Sequence, residues 1–177
     1  IEKGNYKIIG QSQDDAVGEA FDKVAKLLDL PYPGGPHIEK LASEGDPNSY
    51  DFPRPMIHSD NLDMSLSGLK TSVLYTVQKI KNLDHNKKAD IAASFQQAVT
   101  DLLVAKITRA IEETNRKDVI IAGGVAANKF IRSEFKKLEG LLGIKVYYPD
   151  LKYCGDNASM IAFVGSMMNA EKKGNNP

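Results

Sequence analysis

Cysteine is almost absent from this chain of 177 residues: Cys154 is the only one. One sulfur excludes an intrachain disulfide and any zinc site built on several thiolates, and it suits a reducing, cytoplasmic setting. There is no excess of charge, with 23 Lys and Arg against 23 Asp and Glu. A module that coats nucleic acid is usually basic, so that class is disfavoured, although a local basic patch that meets a nucleic-acid backbone is not. No apolar run approaches the length of a membrane-spanning helix, and no signal peptide is visible. The three histidines, His37, His58 and His85, show neither H-x-x-x-H nor H-E-x-x-H spacing, so the chain carries no complete histidine metal site.

What is present is ordinary for a soluble globular protein, 42% hydrophobic and 26% charged. The length suffices for one domain or for one lobe of a larger protein. The chain opens on Ile1 and runs almost at once into strand-like sequence. We read that as a start inside a longer chain, with a processed or tagged product as the alternative.

Hydrophobic spacing organises the rest. Residues 6–10 (YKIIG) read as a short strand. Asp14 and Asp15 offer an N-cap, and Val17, Phe21, Val24 and Leu28 recur at helical spacing. Residues 30–36, with three prolines and two glycines, stop that helix, and a short one follows to about residue 45. A proline-rich loop over 46–63 leads into a helix to about 81, then a long one over 89–114 whose apolar face includes Ile91, Phe95, Val99, Leu102 and Ile111. The last third changes character. Strands over 119–122 and 144–148, with helices from about 126 to 142 and from Asp156 to about 172, make a βαβα unit whose strands should be parallel. Residues 172–177 read as a frayed tail.

Several motifs suit chemistry, each with a plainer reading beside it. In Ile120–Asn128 (IIAGGVAAN) a strand enters a Gly-Gly turn and a helix leaves it. Gly123 and Gly124 let backbone approach a ligand, the helix start offers unpaired N–H groups to a phosphate, and Asn128 can bond a sugar or base edge. Tight packing explains such a turn equally well. Asp156, in Cys154–Asn157 (CGDN), is either an N-cap or a hard-oxygen metal ligand. Glu19 and Asp22 lie i,i+3 on one helix, as a pair that binds a metal or a sugar or does acid–base work, or as a solvated acidic face. Gly18 inside that helix has a cost of about 1 kcal/mol and calls for a close neighbour or a ligand. Pro33–Pro36 (PGGP), with Gly35, is a rigid ligand wall or a corner between helices. Ser67 and Lys70 resemble a nucleophile with its activating amine, although a serine cap is the plainer reading.

In this order the blocks DDAVGEAFDKVAKLLDLPYPGGP (14–36), FPRPM (52–56), LDMSLSGLKT (62–71), DIAASFQ (90–96), IIAGGVAAN (120–128) and CGDNASMIA (154–162) resemble the TsaD/Gcp family, also called the YgjD or glycoprotease family. The resemblance covers nearly the whole chain. It implies an α/β fold, the C-terminal part of the two-lobed fold shared by actin, sugar kinases and Hsp70 (the ASKHA fold), helix-rich with a small parallel βαβα unit. The expected organisation is the end of a first-lobe sheet over 1–13, a mainly helical subdomain over 14–116, a nucleotide- and metal-binding part over 117–172, and a flexible tail over 173–177.

The same resemblance implies an acyltransferase of tRNA modification. Threonylcarbamoyl-AMP, made from ATP, gives its threonylcarbamoyl group to the adenosine beside the anticodon (position 37). One divalent metal, iron or zinc, is expected per full-length subunit. Asp156 matches the metal-binding Asp of the family. Asn128, Asp22 and Gly35 match substrate or nucleotide contacts, with Gly123, Gly124 and Glu19 beside them. No residue is singled out as catalytic. The H-x-x-x-H pair that completes the metal site belongs to the family's first lobe and has no counterpart here, so the chain is expected to be inactive alone. Gly155 stands where the family usually has Thr, and Met64 and Leu66 where it usually has Phe. Expected partners are tRNA and accessory subunits, with no membrane, and self-association through an exposed lobe interface. A metalloprotease and a non-catalytic scaffold are the alternatives.

Overall fold

A computed structural model describes residues 6–174, and places the hydrophobic core in a layer of helices. Helix α1 (Val17–Leu27) buries Ala20, Phe21, Val24 and Ala25. Helix α2 (Gly34–Ala42) buries Ile38 and Leu41, and α3 (Ser67–Lys79) buries Leu69 and Val73. Helices α2 and α3 pack on α4 (His85–Thr114), a 30-residue helix, and α1 packs on α2 and α3. Asp84 caps α4 by accepting from the Lys87 amide at 3.0 Å, and Asn115 ends it in the left-handed conformation. Phe95 of α4 meets Phe21 of α1 edge to face, ring centroids 5.1 Å apart. Each such fully buried aromatic contributes about 1.5–3 kcal/mol.

The starts of two helices differ from the sequence expectation. Asp14 does not cap α1, whose N-cap position is Ala16 without a side-chain bond. Its carboxylate caps α3 instead, accepting from the Leu66 amide at 2.8 Å, the Ser67 amide at 3.2 Å and the Ser67 hydroxyl at 2.7 Å. A distant carboxylate satisfies orphan amides as well as a local one. Helix α2 begins inside the proline-glycine stretch that was expected to precede it. Pro36 sits in its first turn, where a missing N–H removes no intrahelical bond. Gly34 is there because α1 and α2 nearly touch: a Cβ would stand 2.4 Å from Ala25 Cβ.

The remainder is a small α/β unit. Strands β1 (Asp118–Ile120) and β2 (Lys145–Tyr147) pair in parallel, Val119 opposite Val146, as expected. Between them run a 3-10 turn (Gly124–Ala127) and helix α5 (Lys129–Leu142), which buries Ile131, Phe135 and Leu138. Helix α6 (Ala158–Gly174) follows. Asn157, not Asp156, caps it, accepting from the Met160 amide at 3.0 Å. Among the described residues α6 adds no member to the buried core, and Ile161, Phe163, Val164 and Met168 are exposed, as are Ile120 and Tyr147. The expected strand over 6–10 is not formed: that stretch is irregular, and a strand without a partner leaves its polar backbone unpaired. The expected tail is helical through Gly174, and residues 175–177 lie outside the described part, as do residues 1–5.

Candidate nucleotide cleft

Four stretches far apart in sequence enclose a cleft of about 500 Å³. Helix α1 supplies Gly18, Phe21 and Asp22, and the start of α2 supplies Pro33, Gly35, Pro36 and Glu39. The turn after β1 supplies Gly124, Val125, Ala127 and Asn128, and the loop after β2 supplies Leu151, Cys154 and Gly155. Apolar walls with a few polar groups are the usual makeup of a small-molecule site. Where a Cβ would stand on the cleft-lining Gly35, Gly124 or Gly155 there is open space, with nothing within 4 Å.

The carboxylates are half engaged. Asp22 Oδ1 accepts from the Gly34 amide at 2.7 Å, and Glu39 Oε1 accepts from the Lys129 amide at 2.7 Å. Each leaves its second oxygen without a protein donor among the described residues. Asn128 is more committed. Its carbonyl accepts from the Ile131 amide at 2.9 Å, and its amide nitrogen donates to Gln96 Oε1 at 2.8 Å. The N-terminus of α5 is therefore partly closed by protein groups, Glu39 on Lys129 and Asn128 on Ile131. That departs from the expectation of a free helix end for a phosphate. The donors left over are the amides of Gly124 and Val125, which have no intramolecular acceptor among the described residues. Gly123 makes their turn with φ of 85°, a conformation other residues adopt only with strain.

Of the residues singled out from sequence, Asp22, Gly35, Gly124 and Asn128 line this cleft, and Gly123 adjoins it. Glu19 lies outside, on a neighbouring hollow, paired with Lys23 at 2.8 Å. Gly18 meets Val125 only at an ordinary 3.8 Å, so the volume of the cleft, rather than crowding, is what a side chain there would disturb. Asp156 is exposed, one residue beyond the cleft lining. Among the described residues no three His, Cys, Asp or Glu side chains converge to hold a metal, so this donor set does not by itself make a metal site. Ser67 and Lys70 do not meet as a nucleophile and its base: Ser67 donates to Asp14, while Lys70 lies 3.6 Å from Asp15. Burial would raise the Asp14 carboxyl, but bonds from Ser65, Leu66 and Ser67 hold it far below the usual carboxylate range.

Glu39 and Gln96 were not anticipated. Nothing in the spacing marks Glu39, seventeen positions after Asp22. Gln96 carried a signal, a polar residue next to Phe95 on the apolar stripe of α4.

The model of the family TsaD, tRNA N6-adenosine threonylcarbamoyltransferase, matches residues 1–163. A tRNA N6-adenosine threonylcarbamoyltransferase of Thermosipho africanus (strain TCF52B) is 52% identical over 159 residues, 90% of this chain and 48% of that protein. One of Ralstonia pickettii (strain 12J) is 48% identical over 168 residues, 93% of this chain and 48% of that protein. The chain spans about half the length of these curated relatives.

Proposed function

Because the chain belongs to the TsaD family, we propose that its cleft receives the adenylate of threonylcarbamoyl-AMP and that it serves as the C-terminal part of a tRNA N6-adenosine threonylcarbamoyltransferase with an actin-like, two-lobed fold. The observation that carries this reading is the cleft itself, where Asp22, Glu39, Gly35, Gly124 and Asn128 meet from separate elements.

Each residue has a task in that reading. The free oxygens of Asp22 and Glu39 accept from ribose hydroxyls, which are good donors to carboxylates. Phe21, Val125, Pro36 and Leu151 give a purine an apolar bed. The open amides of Gly124 and Val125 offer donors to an anionic oxygen. The donor is a mixed anhydride and already activated. The adenosine amine attacks the carbamoyl carbon, a C–N bond forms, the bond to the phosphate oxygen breaks, AMP leaves and the amine gives up one proton. The protein's contribution is mainly positioning of the two partners. A divalent metal, iron or zinc, would supply Lewis acidity, and Asp156 would bring one hard-oxygen ligand to it; among the described residues no three such ligands converge.

tRNA and accessory subunits are the partners in this reading, the cytoplasm is its setting, and alone the chain is inactive. The exposed apolar residues on α6, β1 and β2 favour self-association of the isolated chain. The test is transfer to an unmodified tRNA by a protein of the relatives' length that carries this region, with the donor-forming enzyme and accessory proteins. An active parent and a folded, inactive Asp156→Ala variant support the reading. A parent inactive with every component present overturns it.

A further inference from the structure

Arg132 stands in the first turn of α5, four residues after Asn128, and its guanidinium ties together two stretches of chain that line the cleft. Nε donates to the carbonyl of Ala126, in the 3-10 turn. Nη2 donates to the carbonyl of Pro149 at 3.1 Å and to Cys154 Sγ at 3.4 Å, in the loop that leads to Asp156. The guanidinium carbon lies 4.9 Å from the ring centroid of Tyr148, whose hydroxyl donates to the Arg132 carbonyl at 3.2 Å. None of these partners is a carboxylate. This arginine acts as a fork: its plane is rigid, its donors diverge at fixed angles, and it meets two carbonyls at once. A lysine, with one compact ammonium on a flexible stem, does not reproduce that geometry.

We propose that Arg132 is a positioning residue of the adenylate site, setting the spacing between the Gly124–Ala127 turn and the loop through Pro149 and Cys154, and through that loop the place of Asp156. The proposal rests on the reading that the cleft takes an adenylate. Its anchors, Ala126, Pro149 and Cys154, are not members of the hydrophobic core cluster that holds the helical layer of α1 to α4. Losing the fork therefore slackens the cleft while leaving that layer standing.

The chain supplies its own reporter, since Cys154 is its only cysteine and is buried beside Arg132. The experiment follows the alkylation rate of Cys154 by iodoacetamide, AMP binding by calorimetry, and thermal melting, in the whole chain and in Arg132→Lys and Arg132→Gln. Loss of charge-assisted bonds of this kind predicts alkylation about tenfold faster and AMP affinity about tenfold weaker in both variants, with cooperative melting retained. Unchanged alkylation and AMP affinity in both variants overturn the proposal. Loss of cooperative melting in both assigns Arg132 to folding and overturns it equally. A parent that binds no AMP, with alkylation still faster in the variants, sinks the adenylate reading and leaves the spacing role supported.

Discussion

The amide of Asn128 donates to Gln96 at 2.8 Å, and both residues are buried. The cleft residue is thus oriented from behind by a glutamine on the long helix α4, while its carbonyl caps α5. Removing the glutamine leaves a buried amide without its acceptor. Gln96→Leu is expected to cost about 1–3 kcal/mol, and Gln96→Glu, which keeps an acceptor oxygen, less. Urea denaturation of the three proteins measures it, and equal midpoints would refute the orienting role.

Asp14 gives a pH dependence with a definite sign. Its folded-state pKa lies below its unfolded value, so its contribution is present above the ordinary aspartate value of about 3.9 and is lost as pH falls toward the folded value. Asp14→Asn is expected to be less stable than the parent at neutral pH, by about 1 kcal/mol for a weakened cap. The gap should close on acidification below the ordinary aspartate value. Melting curves across that range check it, and a gap that stays constant would contradict the assignment.

Neighbouring glycines should separate folding from binding. At Gly34 a Cβ would stand 2.4 Å from Ala25 Cβ, and overpacking of this kind costs about 1–3 kcal/mol. At Gly35 a Cβ meets nothing and projects into cleft space. Gly34→Ala is therefore expected to lower the melting temperature, and Gly35→Ala to leave it unchanged while weakening AMP binding. Chemical denaturation and calorimetric titration of both distinguish the effects, and the reverse pattern would contradict the cleft geometry.

The exposed apolar residues on α6 predict concentration-dependent association. Ile161→Glu together with Phe163→Lys removes two large apolar side chains from that surface. Sedimentation at several concentrations should show self-association in the parent and less of it in the double variant. A monodisperse parent monomer would contradict the prediction.

Helices α1 and α4 were legible because each buries one face, and Phe21, Val24, Phe95, Val99 and Leu102 repeat at the helical period. The Gly-Gly turn and the Gly35 wall were legible because backbone close to a ligand calls for glycine. The other parts depended on partners distant in sequence. Asp14 looks like the cap of the helix beside it and serves one fifty residues away. The strand expected over residues 6–10 has the right side chains but no partner strand among the described residues. Glu39 and Arg132 act through backbone groups of residues that no local pattern connects to them.

Strands β1 and β2 are three residues each, and the sheet they form has no third member among the described residues. So small a ladder supplies little resistance to opening. The cleft accordingly has one stiff jaw, α1 packed on α2 and α2 on α4, and one compliant jaw, carried by the turn after β1 and the loop after β2. A ligand held between them is recorded mainly as slower amide hydrogen exchange in the compliant jaw. Occupancy and order in that half of the molecule become the same quantity.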